Sequence, residues 1–201
     1  GQSAGIYLSA STYTSVRAFV GMETDATMGF YGYSGAGWGF VMNTTTGNIG
    51  IGNTTPNAPL QFSNTIVNRK IVLYDANNND HQYYGFGING GTLRYQVDFT
   101  SADHVFFAGV NNTSSVELMR IKGNGNVGIG INNPLRPLSF PAVIGKKISL
   151  YPGATGDVGF GVWGNELRIH SDYNNADITF GYDNYSTGFT ENVRMKANGN
   201  V

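Results

Sequence analysis

The hexapeptide Gly47-Asn48-Ile49-Gly50-Ile51-Gly52 recurs as Gly125-Asn126-Val127-Gly128-Ile129-Gly130, and a third copy begins at Gly199-Asn200-Val201. The copies begin at positions 47, 125 and 199, so the two intervals are nearly equal. The first two copies are followed by one shared tail, in which Pro56, Pro59, Leu60 and Phe62 correspond to Pro134, Pro137, Leu138 and Phe140. A period of this length exceeds one coil of a solenoid and predicts an array of small tandem modules.

The similarity continues between the hexapeptides at one constant offset, the same that separates Gly125 from Gly199. The matching residues are Gly85-Phe86-Gly87 with Gly159-Phe160-Gly161, Leu93-Arg94 with Leu167-Arg168, Asp98 with Asp172, Ala102-Asp103 with Ala176-Asp177, Phe106 with Phe180, Glu117 with Glu191, and Arg120 with Arg194. We therefore predict a partial or diverged β unit at 1–46, repeat units at 47–124 and 125–198, and the start of a further motif at 199–201. The first unit shares chiefly Ala26–Phe30 with Ala102–Phe106.

Composition and local pattern both predict an all-β fold. Charged residues are 12% of the chain, against about 25% in ordinary globular proteins, while aromatics reach 13% and glycine 29 residues. No window shows sustained apolar spacing of 3.6 residues, so no helix is predicted. Strands are predicted at 71–74, 93–99, 116–121, 147–151 and 167–170, with turns at 89–91, 152–153 and 164–165. Each unit is expected to be a small antiparallel β module, sandwich or prism-like, joined to the next by a Gly-rich strand.

The alternation within the hexapeptide needs a physical explanation. Val127, Ile129 and Ile131 stand at period two with Gly128 and Gly130 between them, so one strand face is apolar and the other has no side chains. Bare glycine permits very close backbone approach. Three chains wound about an axis would use this, with Ile49, Ile51, Val127, Ile129 and Ile131 pointing inward. The alternative is a plain Gly-rich strand inside each module.

The Gly-Asn-Val-Gly-Ile-Gly pattern with its proline tail resembles the repeats of trimeric phage tail fibres and related bacterial surface fibre adhesins. The resemblance covers 47–62, 125–140 and 199–201, about a fifth of the chain. It implies an intertwined homotrimer of β modules strung along an axis, located outside the cell on a bacterial surface or a virion. The sequence contains no C-terminal chaperone domain of the kind that many of these fibres carry, so maturation by self-cleavage is not predicted.

Several other classes of function are disfavoured by composition. The formal net charge is −1 and no basic cluster is present, which argues against nucleic-acid binding. The chain has no cysteine, so disulfides, thiolate metal sites and thiol nucleophiles are excluded. No apolar run approaches the roughly 20 residues of a membrane helix, and membrane insertion is not predicted.

Two apparent ligand motifs are better explained as turns. Residues 85–90 and 159–164 match the dinucleotide pattern G-x-G-x-x-G, but a β-like segment follows each match where a helix is required, so hairpins are predicted. Residues 75–80 offer many oxygen ligands, yet an EF-hand loop needs Gly at its sixth position and Glu at its twelfth. Those positions are Asp80 and Phe86. A solvated turn is predicted, and no metal or cofactor is expected.

No catalytic site is predicted. The three histidines, His81, His104 and His170, do not repeat and form no triad or metal pair by spacing. Glu117 and Arg120 do repeat, and residues three apart on a regular strand face opposite sides, so they are expected to pair across strands or chains. The repeating aspartates, as at Asp103, are expected to cap turns.

The better functional lead is the set of tyrosines and tryptophans near turns that do not repeat. Such side chains join an apolar face to a polar edge and suit sugar rings or protein partners. The candidates for ligand contact on outer loops are Tyr83, Tyr84, Tyr173 and Tyr185. Ordinary half-buried strand aromatics are the alternative.

The sequence therefore predicts a non-enzymatic structural or adhesive segment of a trimeric extracellular fibre, whose partners are its own copies and a cell-surface glycan or protein receptor. Weak sites repeated on a trimer would gain avidity. The first alternative is a self-assembling filament or shaft subunit with no ligand. The second is a polysaccharide-degrading tail-spike enzyme, which is disfavoured because no polar constellation recurs or converges.

Overall fold

The computed structural model describes residues 4–12, 15–153, 156–184, 186 and 188–201. This part of the chain forms strands and turns and no helix, which confirms the all-β prediction. The described residues accordingly contain no helix that could cross a membrane.

The chain divides into two compact units, Gly1–Phe99 and Thr100–Val201. The first unit contains a six-stranded sheet, sheet A, and a three-stranded sheet, sheet B. Sheet A has the order β1 (Gly5–Leu8), β2 (Ala18–Thr24), β3 (Thr27–Gly32), β4 (Gly37–Asn43), β5 (Ile49–Ile51) and β6 (Leu60–Phe62). Sheet B is the meander β7 (Ile71–Tyr74), β8 (Tyr84–Asn89) and β9 (Thr92–Gln96).

The second unit contains three sheets. Sheet C has the order β10 (Asp103–Gly109), β11 (Ser115–Lys122), β12 (Val127–Ile129) and β13 (Leu138–Ser139). Sheet D is the meander β14 (Gly145–Pro152), β15 (Asp157–Trp163) and β16 (Glu166–His170), and sheet E is the hairpin β17 (Ile178–Asn184) and β18 (Gly188–Met195). Pairing is antiparallel except between β5 and β6 and between β12 and β13, which are parallel.

The sequence repeat is visible in this order of strands. Sheets B and D are equivalent meanders, and sheet C matches the last four strands of sheet A. The predicted boundaries at 46/47 and 124/125 fall inside sheets A and C, because β5 pairs with β4 and β12 with β11. The hexapeptide is thus an internal strand of a sheet at both places.

A β-bulge recurs at one place in three hairpins, β3–β4, β10–β11 and β17–β18. In each hairpin the pairing register shifts immediately after the shared phenylalanine, Phe30, Phe106 or Phe180. The residues left without a cross-strand counterpart are Gly39, Leu118 and Asn192. A bulge interrupts the alternation of side chains, so residues three apart on these strands can lie on the same face.

Within each unit, little of the chain packs against the faces of the sheets. Every substantial contact between described strands is made by neighbours in the same sheet. Apart from the prolines Pro56 and Pro134, the only hydrophobic side chains buried in the described part of the chain are Phe19, Val41 and Tyr83. A sheet is stable when a second layer covers its apolar face, and most of these sheets have no such layer in the single chain.

Candidate functional site

The hexapeptide and its tail form one compact element, built in the same way in sheets A and C. The Asn126 side-chain amide donates to the Pro134 carbonyl oxygen over 3.1 Å, and Asn48 does so to Pro56 over 3.2 Å. The Val127 amide donates to the Pro137 carbonyl oxygen over 2.9 Å, which begins the parallel pairing of β12 with β13. The asparagine and the prolines therefore fix the return of the tail onto the strand.

The glycines of this element are required by contacts within one chain. A Cβ built on Gly128 would lie 2.3 Å from the Ile131 carbonyl oxygen, and one on Gly50 would lie 1.9 Å from the Asn53 carbonyl oxygen. Gly130 has φ of 69°, in the left-handed region that favours glycine. These contacts support the Gly-rich strand within each module that the sequence left as an alternative.

The proposed axis residues do not all share one strand face. Ile49 and Val127 are half-buried, and their neighbours Ile51 and Ile129 are exposed. Strand β12 ends at Ile129 because Gly130 turns the chain, so the expected period-two alternation does not extend to Ile131. Contact of these residues with other chains remains a prediction.

An ion-pair trio lies beside the hexapeptide in sheet C. The Arg120 guanidinium donates to both Glu117 carboxylate oxygens, with Nε–Oε1 at 2.9 Å and Nη2–Oε2 at 2.6 Å, and it also contacts Asp103. The hydrogen bonds from Arg120 lower the pKa of Glu117. Our expectation that Glu117 and Arg120 face opposite sides is wrong, because the bulge at Leu118 restores them to one face.

The trio recurs in sheet E with the same partners. Arg194 contacts Glu191 through Nε–Oε1 at 2.9 Å and Asp177 through Nη1–Oδ2 at 2.6 Å. The bond from Arg194 lowers the pKa of Asp177, with help from the Ala197 amide, which donates to Asp177 over 3.0 Å. Asp103 similarly accepts from the Gly123 amide over 3.3 Å. Asp103 and Asp177 therefore each bond the amide of a turn residue, as expected, but that turn lies 20 residues along the chain and is not adjacent.

The first hairpin replaces the trio with mostly apolar side chains. The registers of β3–β4 and β10–β11 place Thr27, Trp38 and Val41 where Asp103, Glu117 and Arg120 stand. Val41 is 0% exposed and Thr27 is also buried. The same bulged hairpin therefore accommodates either an ion-pair trio or mostly apolar side chains at these three positions.

The four candidate tyrosines have different environments. Tyr83 is 0% exposed and its hydroxyl donates to the Asn68 carbonyl oxygen, so its expected place on an outer surface is wrong. The segment before β7 folds over it and supplies that acceptor. Tyr84 is half-buried in β8, and its hydrogen bond to Asp98 raises the pKa of the Tyr84 phenol. Tyr173 is exposed, and Tyr185 lies outside the described residues.

The two apparent ligand motifs are hairpins and a turn, as predicted. Residues 85–90 and 159–164 enter the antiparallel hairpins β8–β9 and β15–β16. In the acidic turn, Asp75 accepts from the amides of Asn77 and Asn78 at 3.1 and 2.6 Å. Arg69 pairs with Asp75 and, at 3.3 Å, with Asp80. The guanidinium therefore occupies the place near these carboxylates that a cation would need.

Sequence comparison missed one repeated pair of lysines, Lys70 and Lys147. The other matching residues share one constant offset, and Lys147 lies three positions beyond the place which that offset predicts for the equivalent of Lys70. Arg69-Lys70-Ile71 and Lys146-Lys147-Ile148 begin equivalent strands, with Ile71 opposite Phe86 and Ile148 opposite Phe160. The Lys70 amine donates to the Ser63 carbonyl oxygen at 2.5 Å, and Lys147 donates to that of Pro141 at 2.9 Å. These amines fasten the proline tail to the following meander.

A row of aromatic rings crosses sheet A and has no counterpart in sheet C. The registers align Tyr7, Phe19, Tyr31 and Trp38 on successive strands β1 to β4. Ring centroids are 4.9 Å apart for Tyr7 and Phe19 and 5.3 Å apart for Tyr31 and Trp38. Tyr33 extends the row, with its centroid 5.1 Å from that of Tyr31.

No protein-family model matches the chain, and no curated protein matches its sequence.

Proposed function

We propose that this chain is a structural segment of a homotrimeric extracellular fibre, in which copies of the chain cover one another's sheets. The observation that supports this proposal is a set of exposed apolar side chains that recurs from unit to unit. Leu93 and Leu167 are 79% and 74% exposed, and Phe106 and Phe180 are 48% and 43% exposed. Ile51 and Ile129 behave likewise at 40% and 43%.

A surface that repeats along the chain calls for a partner that repeats with the same spacing. A second copy of the chain, parallel and in register, has that spacing, because each of its units meets the equivalent unit of its neighbour. Closed rotational symmetry then covers every copy equally. That the proposed assembly contains three chains is inferred from the resemblance of the hexapeptide and its tail to trimeric fibre repeats.

The exposed area is large enough for an obligate assembly. The chain exposes 14239 Å². A compact monomer of its mass would expose about 9,200 Å², and two separate halves about 11,000 Å² together. The excess is thus roughly 3,000–5,000 Å² per chain, in the range that obligate interfaces bury. Covering this area on assembly would add hydrophobic stabilisation that the single chain lacks.

The test is native mass spectrometry combined with one substitution in the apolar set. We expect the wild-type chain to be a trimer and Ile129→Asp to dissociate it, because three carboxylates near one axis cost on the order of several kcal/mol. The matched control is Asn112→Asp, which adds the same charge at an exposed residue in the loop between β10 and β11 of the same sheet. A monomeric wild-type chain, or an Ile129→Asp trimer of unchanged melting temperature, would refute the proposal.

An adhesive role is the second candidate, and the aromatic row of sheet A favours it. The row is private to the first unit and ends in the exposed rings of Tyr7 and Tyr33. Together with Tyr84 and Tyr173 it offers apolar faces with polar edges, which suit glycans. Binding of the isolated assembly to a glycan array, weakened by Tyr33→Ala and Tyr173→Ala with assembly unchanged, would support adhesion. Absence of binding would leave a ligand-free shaft subunit, and turnover of a polysaccharide would indicate the enzyme.

A further inference from the structure

The loop between β10 and β11 contains a motif that the proposed assembly does not use. Residues 110–114 join the two strands, and 111–114 are all exposed. A backbone hydrogen bond from the Val110 amide to the Ser114 carbonyl oxygen, over 2.9 Å, closes the loop. Within it, Asn111-Asn112-Thr113 has the form Asn-x-Ser/Thr, which is the acceptor motif for N-linked glycans in surface loops of secreted proteins.

The chain contains five such motifs, and local structure distinguishes them. They begin at Asn43, Asn53, Asn111, Asn112 and Asn184. A glycosyltransferase that reads this motif has to reach both the amide nitrogen of the asparagine and the hydroxyl group of the third residue. An acceptor site therefore needs these two groups close together, with the nitrogen accessible at the surface.

At Asn111 the two groups are held together by hydrogen bonds. The Thr113 backbone amide and the Thr113 hydroxyl both donate to Asn111 Oδ1, each over 2.9 Å. A backbone amide can only donate, so the side-chain atom that it meets is the oxygen, and the nitrogen lies on the other side of the carboxamide. The two bonds thus orient the oxygen toward Thr113 and direct Nδ2 of this exposed residue away from it.

Asn53 has the same local geometry in a different environment. The Thr55 amide and hydroxyl donate to Asn53 Oδ1 over 3.1 and 3.4 Å. Asn53 Nδ2, however, is buried. Asn53 follows β5 at the turn into the proline tail, where Gly50 faces its carbonyl oxygen. The chain therefore contains a matched pair of motifs, one with a reachable nitrogen at Asn111 and one with a covered nitrogen at Asn53.

We propose that Asn111 is an acceptor site for an N-linked glycan, transferred by a separate glycosyltransferase from a glycosyl diphosphate donor. In this transfer Asn111 Nδ2 forms a bond to the anomeric carbon of the sugar, and the bond from that carbon to the diphosphate oxygen breaks. Nδ2 loses one proton, and the diphosphate leaves with the electron pair of the broken bond. No group is oxidised or reduced.

The equivalent hairpin of the next module carries the motif as well. The hairpin β17–β18 has Asn184-Tyr185-Ser186 at its turn, whereas residues 33–36 between β3 and β4 include no asparagine. These motifs stand at the ends of hairpins, and the repeated apolar side chains stand on the faces of the strands, so the two sites use different parts of the hairpin. The proposal goes beyond assembly and rests only on the extracellular location in the proposed function.

The test is glycan transfer to the purified, assembled chain by an oligosaccharyltransferase, with a polyprenyl-diphosphate oligosaccharide as donor. Intact mass and mapping of glycopeptides locate the product. We expect transfer to Asn111 to be at least about tenfold faster than transfer to Asn53, because a buried nitrogen reacts only after local opening of the fold. In synthetic peptides of residues 49–59 and 107–117, which lack the fold, the two asparagines should react at similar rates.

Substitutions in the loop test the role of the hydroxyl. Thr113→Val should abolish transfer to Asn111, although it retains the overlapping motif from Asn112 to Ser114. Thr113→Ser, which keeps the hydroxyl, should retain transfer. Asn111→Gln should leave this loop unmodified.

Transfer to Asn111 that requires the hydroxyl of residue 113, with slow transfer to Asn53, supports the acceptor site. Absence of transfer to Asn111 overturns it, as does transfer to Asn112 in its place. Equal rates at Asn53 and Asn111 in the assembled chain overturn the structural basis of the choice. The native mass of the unmodified chain reports assembly separately, so a trimer without transfer overturns this proposal alone, and transfer to a monomer overturns only the trimer.

Discussion

Alanine at Gly128 is expected to destabilise sheet C, because the added methyl group meets atoms that cannot move away. The new Cβ would lie 2.3 Å from the Ile131 carbonyl oxygen, 3.2 Å from Ile131 Cγ2 and 3.3 Å from Pro134 Cγ. Pro134 is fully buried, and its carbonyl oxygen accepts the Asn126 amide. The turn from β12 into the tail would have to open by about 1 Å to restore an ordinary contact.

The magnitude follows from comparing two alanines. Forcing a methyl group into a packed site costs about 1–3 kcal/mol. At Gly109 nothing lies within 4 Å of a built Cβ, so Gly109→Ala should stabilise by about 0.4–1 kcal/mol through the unfolded chain. The difference between the variants is therefore about 1.4–4 kcal/mol. Gly50→Ala, with a built Cβ 1.9 Å from the Asn53 oxygen, should behave like Gly128→Ala.

The assay is guanidinium unfolding at fixed chain concentration, with hydrogen exchange to locate the effect. Fixed concentration matters because the stability of an assembly depends on it. We expect a lower midpoint for Gly128→Ala than for Gly109→Ala and faster exchange in β11 and β12. Equal midpoints would refute the steric argument. If Gly128→Ala lost assembly while the amides of sheet C exchanged as in the wild type, glycine would be needed for contacts between chains and not for contacts within one chain.

Three further outcomes are expected. Tyr83→Phe should cost about 1–3 kcal/mol in the unfolding free energy measured by denaturant, since it leaves the buried Asn68 carbonyl oxygen without its donor. Acidification should destabilise the chain below about pH 4, because pairing lowers the pKa of Glu117, Asp157 and Asp177. A folded pKa below the unfolded one gives stability that is present above the unfolded value and lost as pH falls through the folded one, which melting temperatures across pH 2–7 would show. Chelator should leave the melting temperature unchanged; a drop of many degrees would direct attention to the acidic turn before β8.

Strand positions could be predicted from the sequence because local alternation and turn residues determine them. Strand β7 has the predicted limits, and the turns at 89–91 and 164–165 join the hairpins as expected. The match of Ala26–Phe30 to Ala102–Phe106 correctly identified equivalent hairpins, since both carry the same bulge. These features depend on a few neighbouring residues.

The errors came from features that pattern alone does not reveal. A bulge consumes one residue without changing the apolar pattern, so Glu117 and Arg120 were assigned to opposite faces. Burial of Tyr83 depends on a segment fifteen residues earlier that folds over it through Asn68. Contact of the hexapeptide with other chains stays a prediction, but the sequence pattern did not reveal that Gly128 faces a carbonyl oxygen of its own chain only three residues away. Local sequence does not specify such long-range or turn geometry.

The hairpins that carry the recurring bulge also meet the hexapeptide strand in the same register, so the chain can change length by a whole period. Because β4 meets β5 as β11 meets β12, joining Ile49 directly to Gly128 would remove one whole period and still join a strand to a partner of the right register. The junction would restore a complete hexapeptide with its proline tail. Recombination between these two copies in a gene would therefore shorten the encoded chain by one period and leave the strand after the junction with a partner of the right register.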